Sequence, residues 1–252
     1  MAMRRWLAAL CLVLLTAAPA FGDEAARETL RVGVDPAYPP FSEIDDADRL
    51  VGFDIDIALA LCARMDVACA FVRQDWEGLI PALRAGRFDA IVSSMSITEK
   101  RRRLVSFTER YYSSGVRFVA RKGSAFDAQD AAGRTVGAMR ATIASDWLED
   151  NRSKFAGIRL FADQGALDRA LIEGRLDAAF GDALGFWKWL RSPGGAGFAY
   201  AGDTYRLDEG IGIAVRQEDD ALRRRLNDAL RAIRADGTYG KINARYFPFD
   251  IY

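Results

Sequence analysis

Histidine does not occur anywhere in this chain. Its absence removes Ser-His-Asp and Cys-His nucleophilic catalysis, His-rich zinc sites and the usual near-neutral proton shuttle. Acid–base work by Asp, Glu, Lys or Tyr stays open. An excess of one charge is also missing: Lys plus Arg and Asp plus Glu number 35 each, which gives no electrostatic case for nucleic acid or an anionic membrane surface. Cysteine is scarce, with Cys11, Cys62 and Cys69 only. Beyond the N-terminus no apolar run is long enough to cross a bilayer.

The N-terminus reads Met1-Ala2-Met3-Arg4-Arg5, then an apolar run from Trp6 to Ala18, then small residues around Ala18-Pro19-Ala20-Phe21-Gly22. That is the layout of a cleavable secretory signal peptide, so residues 1–22 are set apart from the fold. Cys11 follows Leu10 rather than a small residue, a poor context for lipid attachment. Export leaves a soluble mature chain outside the inner membrane of a bacterial-type cell. In that oxidising compartment Cys62 and Cys69 are expected to form a local disulfide tying the end of a helix to the next strand; two buried free thiols are the alternative. Roughly 230 residues remain, enough for two lobes of ordinary size.

Strand and helix patterns alternate, which predicts α/β architecture with largely parallel sheets. Leu30 to Val34 is a β-rich run that ends in the proline-fixed loop Asp35-Pro36-Ala37-Tyr38-Pro39-Pro40-Phe41. Asp54 is expected to cap a helix running to about Met65. Val67–Val72 reads as a strand, Leu79–Ala85 as a short helix after Trp76, Phe88–Ser93 as a strand, and Val116–Ala120 as another. The pattern then restarts: strand Thr135–Ala138, a helix opened by Met139 to Ala144, strand Arg159–Phe161, helix Gln164–Glu173. Leu176 to Asp182 echoes Phe88 to Ser94, each behind Gly-Arg, and the echo suggests two similarly built lobes. A strand Gly210–Val215, an amphipathic helix Asp219–Arg234 and a last helix Tyr239–Tyr246 complete the chain.

The stretch from Phe88 to Arg101 carries the most chemistry. An apolar strand runs into Ser93, Ser94 and Ser96, and Arg101 follows. A free α-amino acid needs acceptors around its ammonium group and a planar cationic fork for its carboxylate. The serines can serve the first need and Arg101 the second. The backbone N–H groups of the helix opened near Met139 suit a carboxylate as well.

With these residues in view the chain resembles the family 3 periplasmic solute-binding proteins, the receptors of polar amino-acid ABC transporters. Gly52-Phe53-Asp54-Ile55-Asp56-Ile57, Asp35-x-x-Tyr38-x-Pro40-Phe41, Asp75-Trp76-x-x-Leu79-Ile80-Pro81, Ser94-Met95-Ser96-Ile97-Thr98-x-x-Arg101, Gly174-Arg175-Leu176-Asp177-Ala178 and Asp236-Gly237-Thr238-Tyr239 carry the resemblance over essentially the whole mature chain. The subgroup it is most similar to comprises the lysine, arginine, ornithine and histidine receptors, which have a disulfide where Cys62 and Cys69 fall. The resemblance implies a two-lobed α/β clamp of periplasmic-binding-protein type II with a discontinuous first lobe. Lobe 1 is expected over residues 23–114 and 211–252, and lobe 2 over 115–210.

The resemblance also implies function: closure around a free basic L-amino acid in the periplasm and delivery to an ABC permease, by a monomer with no catalytic residues, metal or cofactor. Arg101 is expected on the α-carboxylate with the Thr142 hydroxyl and backbone N–H groups. Asp182, Ser94 and Ser96 are expected on the ammonium. Tyr38 and Trp76 would flank the side chain and Asp35 answer its distal charge, with Ser93 and Met139 as further contacts. As alternatives Asp182 is a helix cap, Asp35 braces the proline loop, and the two aromatics belong to the core. Ile143 departs from the family pattern, where a hydroxyl often stands. Glutamine, an opine, or a cyclohexadienyl dehydratase activity on the same scaffold are the alternative readings.

Overall fold

The computed structural model describes residues 28–252. The expected signal peptide and Cys11 lie outside the described residues. Among those described, no helix is long and apolar enough to cross a membrane.

The chain first lays down β1 (Thr29–Val34), a small meander of β2 (Ala37–Tyr38), β3 (Ser42–Ile44) and β4 (Leu50–Val51), then α1 (Phe53–Met65), β5 (Ala68–Arg73), α2 (Leu79–Arg84), β6 (Ala90–Ile91), α3 (Glu99–Arg102) and β7 (Ser106–Tyr112). It continues with β8 (Val116–Arg121), β9 (Thr135–Met139), α4 (Ile143–Asp150), β10 (Gly157–Phe161), α5 (Gln164–Ile172), β11 (Ala178–Asp182), α6 (Ala183–Trp189) and β12 (Phe198–Tyr205). β13 (Ile211–Val215), α7 (Asp220–Ala235) and α8 (Thr238–Tyr246) end it.

Two five-stranded sheets result, in the orders β5-β1-β6-β13-β7 and β10-β9-β11-β8-β12. Each is mixed. β1 runs parallel to β5 and β6 while β13 is antiparallel to β6 and β7; β9 runs parallel to β10 and β11 while β8 is antiparallel to β11 and β12. The chain leaves the first sheet after Tyr112 and rejoins it at Ile211. The first lobe is therefore discontinuous, as the resemblance implies.

The sequence echo has a physical basis. Gly86 and Gly174 sit at φ 72° and 71°, the left-handed conformation that ends α2 and α5 and that glycine adopts without a Cβ penalty. The next residues then close matching caps, Arg87 N–H to Ala82 O at 3.0 Å and Arg175 N–H to Ala170 O at 2.9 Å. Asp89 and Asp177 follow, and each carboxylate accepts from the backbone of the lobe's first parallel strand: Arg31 N at 3.0 Å and Thr135 N at 2.8 Å. One local device thus sets the third parallel strand of both lobes.

Burial of α1 explains its pattern. Phe53, Ile57 and Leu61 have almost no exposure and pack with Leu226, Leu230 and Ile233 of α7 and Tyr239 and Ile242 of α8. In the second lobe Phe118 stacks on Phe180 with centroids 4.2 Å apart. Cys62 and Cys69 form a disulfide that joins α1 to the edge of β5.

Several expectations need correction. Asp54 is not the cap of α1; Gly52 is, and Asp54 lies fully buried in the first turn. Its carboxylate accepts from Tyr111 Oη at 2.7 Å and Ser94 Oγ at 2.8 Å. The strand expected over Phe88–Ser93 shrinks to Ala90–Ile91, because Ser93 and Ser94 turn into the space between the lobes. α4 begins at Ile143 rather than near Met139. β7, α6, β12 and the β2–β4 meander are elements the periodicity does not announce.

Candidate functional site

A cleft of about 610 Å³, open at its mouth, lies between the two sheets. Its lining includes Asp35, Tyr38, Trp76, Ser93, Ser94, Ser96 and Arg101 from the first lobe, and Met139, Thr142, Ile143 and Asp182 from the second. Each residue singled out from the sequence as a ligand contact is therefore on its wall. Most follow directly on parallel strands, where open α/β sheets place ligands.

Arg101 projects from α3 and is only 8% exposed. Its guanidinium donates to Ser96 O at 2.9 Å and to Ala141 O at 3.0 Å, and lies 5.1 Å from the Trp76 ring centre. Both acceptors are neutral carbonyls. Among the described residues no carboxylate forms an ion pair with it, and burial lowers its pKa to about 10. Asp146 and Asp208 act on it through space against that fall, and a buried guanidinium with no carboxylate in contact suits an anion.

Opposite it stands the start of α4. Thr142 and Ser145 form a reciprocal cap: Thr142 N donates to Ser145 Oγ at 3.1 Å and Ser145 N to Thr142 Oγ1 at 3.2 Å. The Thr142 hydroxyl donates to Met139 O at 2.7 Å. In this arrangement its proton goes to a backbone carbonyl within the loop. The helix-start donors that the cap does not use are the N–H groups of Ile143 and Ala144, and both residues line the cleft.

Asp182 is a helix cap, the alternative the sequence offered, and it also lines the cleft. As the cap of α6, its Oδ1 accepts from Leu184 N at 2.7 Å and Gly185 N at 3.0 Å, and also from Ser114 Oγ at 2.9 Å. Its second oxygen is left for the cleft. Burial raises its pKa to about 6 against these bonds. Ser94, at φ 51°, donates its hydroxyl proton to Asp54 and so keeps oxygen lone pairs for a cationic donor. Ser96 likewise gives its hydroxyl proton to Asp208 and keeps its oxygen lone pairs.

The other end of the cleft is acidic. Asp35 is 5% exposed, and burial raises its carboxyl to about 6, with Asp75 and Asp163 adding to the rise. Its own backbone N–H is held by Ser93 Oγ at 3.0 Å. Asp35 also accepts from Ala37 N at 3.1 Å, so it braces the proline loop while facing the cleft. The sequence reading did not name Val116, Ala144, Gln164, Leu167, Phe180 and Gly181, which complete the lining. Gln164 had a signal: it is the polar residue directly after the β10 loop, a place equivalent to those that yielded the other candidates.

The lobes touch around the cleft. Trp76 Nε1 donates to Ala141 O at 3.1 Å, and ion pairs Lys100–Asp146 at 2.9 Å, Arg140–Glu77 at 3.0 Å and Lys188–Glu43 at 2.5 Å join the rims. A Cβ on Gly185 would come within 2.5 Å of Tyr38 Oη, so this glycine permits the approach of α6 to the first lobe. Among the described residues no group of three or more His, Cys, Asp or Glu could hold a metal ion. The arrangement can bind a zwitterion with a further positive charge.

Comparison with known proteins agrees with this geometry. A family model for bacterial extracellular solute-binding proteins, family 3, matches residues 30–249. The L-arginine-binding protein of Pseudomonas aeruginosa is 39% identical over 237 residues, covering 90% of this chain and 91% of that protein. The lysine/arginine/ornithine-binding periplasmic protein of Escherichia coli is 36% identical over 258 residues, covering 99% of each. An ancestral arginine-binding protein bound to arginine superposes with a TM-score of 0.82 at 31% identity, covering 88% of this chain and 99% of that one.

Proposed function

Because the chain belongs to the bacterial extracellular solute-binding proteins of family 3, we propose that it captures a free basic L-amino acid, arginine or ornithine foremost, and delivers it to an ABC permease. It is a binding protein and not an enzyme, as are the relatives it matches. In this reading the protein works in the periplasm as a monomer, with lobe 1 formed by residues 23–114 and 211–252 and lobe 2 by 115–210.

One observation carries the ligand class: the cleft is polarised. At one end Arg101, with no carboxylate in contact among the described residues, and the helix-start N–H groups of Ile143 and Ala144 favour an α-carboxylate. Asp182 and the Ser94 oxygen favour the ammonium beside it. At the far end Asp35, with Asp75 and Asp163 close enough to raise its pKa, favours a second positive charge. Tyr38 and Trp76 flank the path between them, and a stacked guanidinium gains cation–π attraction there. Because the two lobes hold different parts of the same ligand, binding stabilises the closed form over the open one.

Isothermal titration calorimetry tests this on mature protein stripped of bound ligand by unfolding and refolding. The set is arginine, ornithine, lysine, histidine, glutamine and octopine. One-site binding with a cationic amino acid tightest is expected. Preference for glutamine, or no binding across the set, would overturn the basic-ligand reading.

A further inference from the structure

We propose that Gln164, held in one orientation by Asp168, is a specificity-determining residue of the cleft that selects a donor-only cationic end over a neutral end of the same shape. The inference rests on the basic amino-acid reading above and extends it to two residues not yet given a role.

Gln164 opens α5 and is 6% exposed, yet it lines the cleft. Its Nε2 donates to Asp168 Oδ1 at 2.8 Å, one helical turn on, and Asp168 is itself 9% exposed. An ionised carboxylate only accepts hydrogen bonds. Once ionised, Asp168 holds the amide nitrogen toward itself and leaves Oε1 as the acceptor that Gln164 can offer. An amide is nearly symmetric in shape, so without such a partner either end can turn to the ligand. Asp168 is a positioning residue in this sense, and Gln164 is the group that meets the ligand.

The position fits the ligand's distal end. Asp163 caps α5 by accepting from Ala166 N at 2.7 Å, and its charge acts on Asp35. Gln164, the next residue, lines the cleft together with Asp35. A guanidinium carries N–H donors and no acceptor, whereas the ureido group of citrulline has the same outline with a carbonyl oxygen in place of one nitrogen. A fixed acceptor rewards the first and penalises the second when that carbonyl faces it. A cation arriving at this end also favours the ionised form of Asp168, which strengthens the orientation it depends on.

The experiment measures Kd for arginine and citrulline with the mature wild type and with Asp168→Asn, Asp168→Glu and Gln164→Leu. In Asp168→Asn, whose amide can donate to Gln164 and let it turn, the arginine-to-citrulline preference should fall about tenfold. Asp168→Glu should recover most of it, which lost packing alone would not produce. Gln164→Leu, on the cleft wall, should lose the preference whether or not the Asp168 variants fold. A preference unchanged within twofold in Gln164→Leu, or in a folded Asp168→Asn, overturns the inference while leaving the basic-ligand reading intact. Failure of the wild type to bind arginine overturns both.

Discussion

The affinity of this protein for a cationic amino acid should climb steeply with pH in the mildly acidic range. In the ligand-free cleft Asp35 and Asp182 each carry pKa values raised to about 6, in both cases chiefly by burial. A ligand that brings one positive charge to each carboxylate binds their ionised forms and pulls both pKa values down. At pH 5 a group with a pKa near 6 is ionised about one-tenth of the time, so each weakens binding by about tenfold relative to pH 8. Together they give about 100-fold, or about 2.7 kcal/mol. Near pH 6 each is half protonated, and complex formation should release about one proton in total.

The assay is calorimetric titration of arginine at pH 5, 6, 7 and 8, repeated in two buffers of different ionisation enthalpy to count protons. Asp35→Asn should remove about half of the pH dependence on a logarithmic scale. A Kd constant within threefold from pH 5 to 8, with no buffer-dependent heat, would refute the reasoning. The same shifts make an opposite demand on the free protein. A carboxyl whose folded pKa lies above its unfolded value contributes stability that is fully present below about pH 4 and is lost as pH rises through the folded pKa. Asp54 and Asp168, both raised to about 7 chiefly by burial, add to this. Ligand-free protein should therefore melt at lower temperature at pH 8 than at pH 5, and saturating arginine should narrow the gap.

Arg101→Met should weaken binding by 100-fold or more in titration; near wild-type affinity would dismiss the carboxylate anchor. The three rim ion pairs are exposed and screened by salt, so raising NaCl from about 0.05 to 0.5 M should weaken closure and affinity by about fivefold, and Lys100→Ala with Arg140→Ala should show a smaller salt effect. Removal of the Cys62–Cys69 cross-link by paired serine substitution should cost about 2.5 kcal/mol in denaturant unfolding, as expected for so short a loop. No loss there would show that the disulfide leaves the unfolded chain unconstrained. Asp54→Ala should destabilise by about 2–4 kcal/mol, because it strands the Tyr111 and Ser94 hydroxyls; a value below 1 kcal/mol would mean that the pair finds other partners.

What could be read from the chain and what could not divides along the range of the causes. The Gly-Arg-x-Asp phrases were legible because their effect is local: a left-handed glycine ends a helix and the aspartate three places along fastens the next strand. β7 and β12 hid for a local reason too. Glu109 and Arg110 interrupt the apolar alternation of β7, Gly202 and Asp203 that of β12, and both strands shift register against their partners. α6 hid behind Gly185 and its aromatics, which are poor helix signals. Asp54 was misread because an acid at a helix start looks like a cap, and nothing nearby reveals Tyr111 as its partner from 57 residues away.

Hydroxyl chemistry shows the limit most clearly, because sequence supplies the group but only the fold decides which way its proton points. Ser94, Ser96 and Thr142 all lie on the cleft as expected, yet each has given its proton to another protein acceptor: Asp54, Asp208 and the Met139 carbonyl. What they retain is lone pairs, which suit an ammonium and not a carboxylate. In the proposed reading the carboxylate is met by donors with no side-chain signature, the N–H groups of Ile143 and Ala144, together with Arg101. This changes the weight of the one departure from the family pattern. Isoleucine at position 143 lacks a hydroxyl but keeps its N–H, so the proposed α-carboxylate contact does not depend on a hydroxyl there. The consequence of Ile143 falls instead on the shape of the cleft around the ligand's side chain.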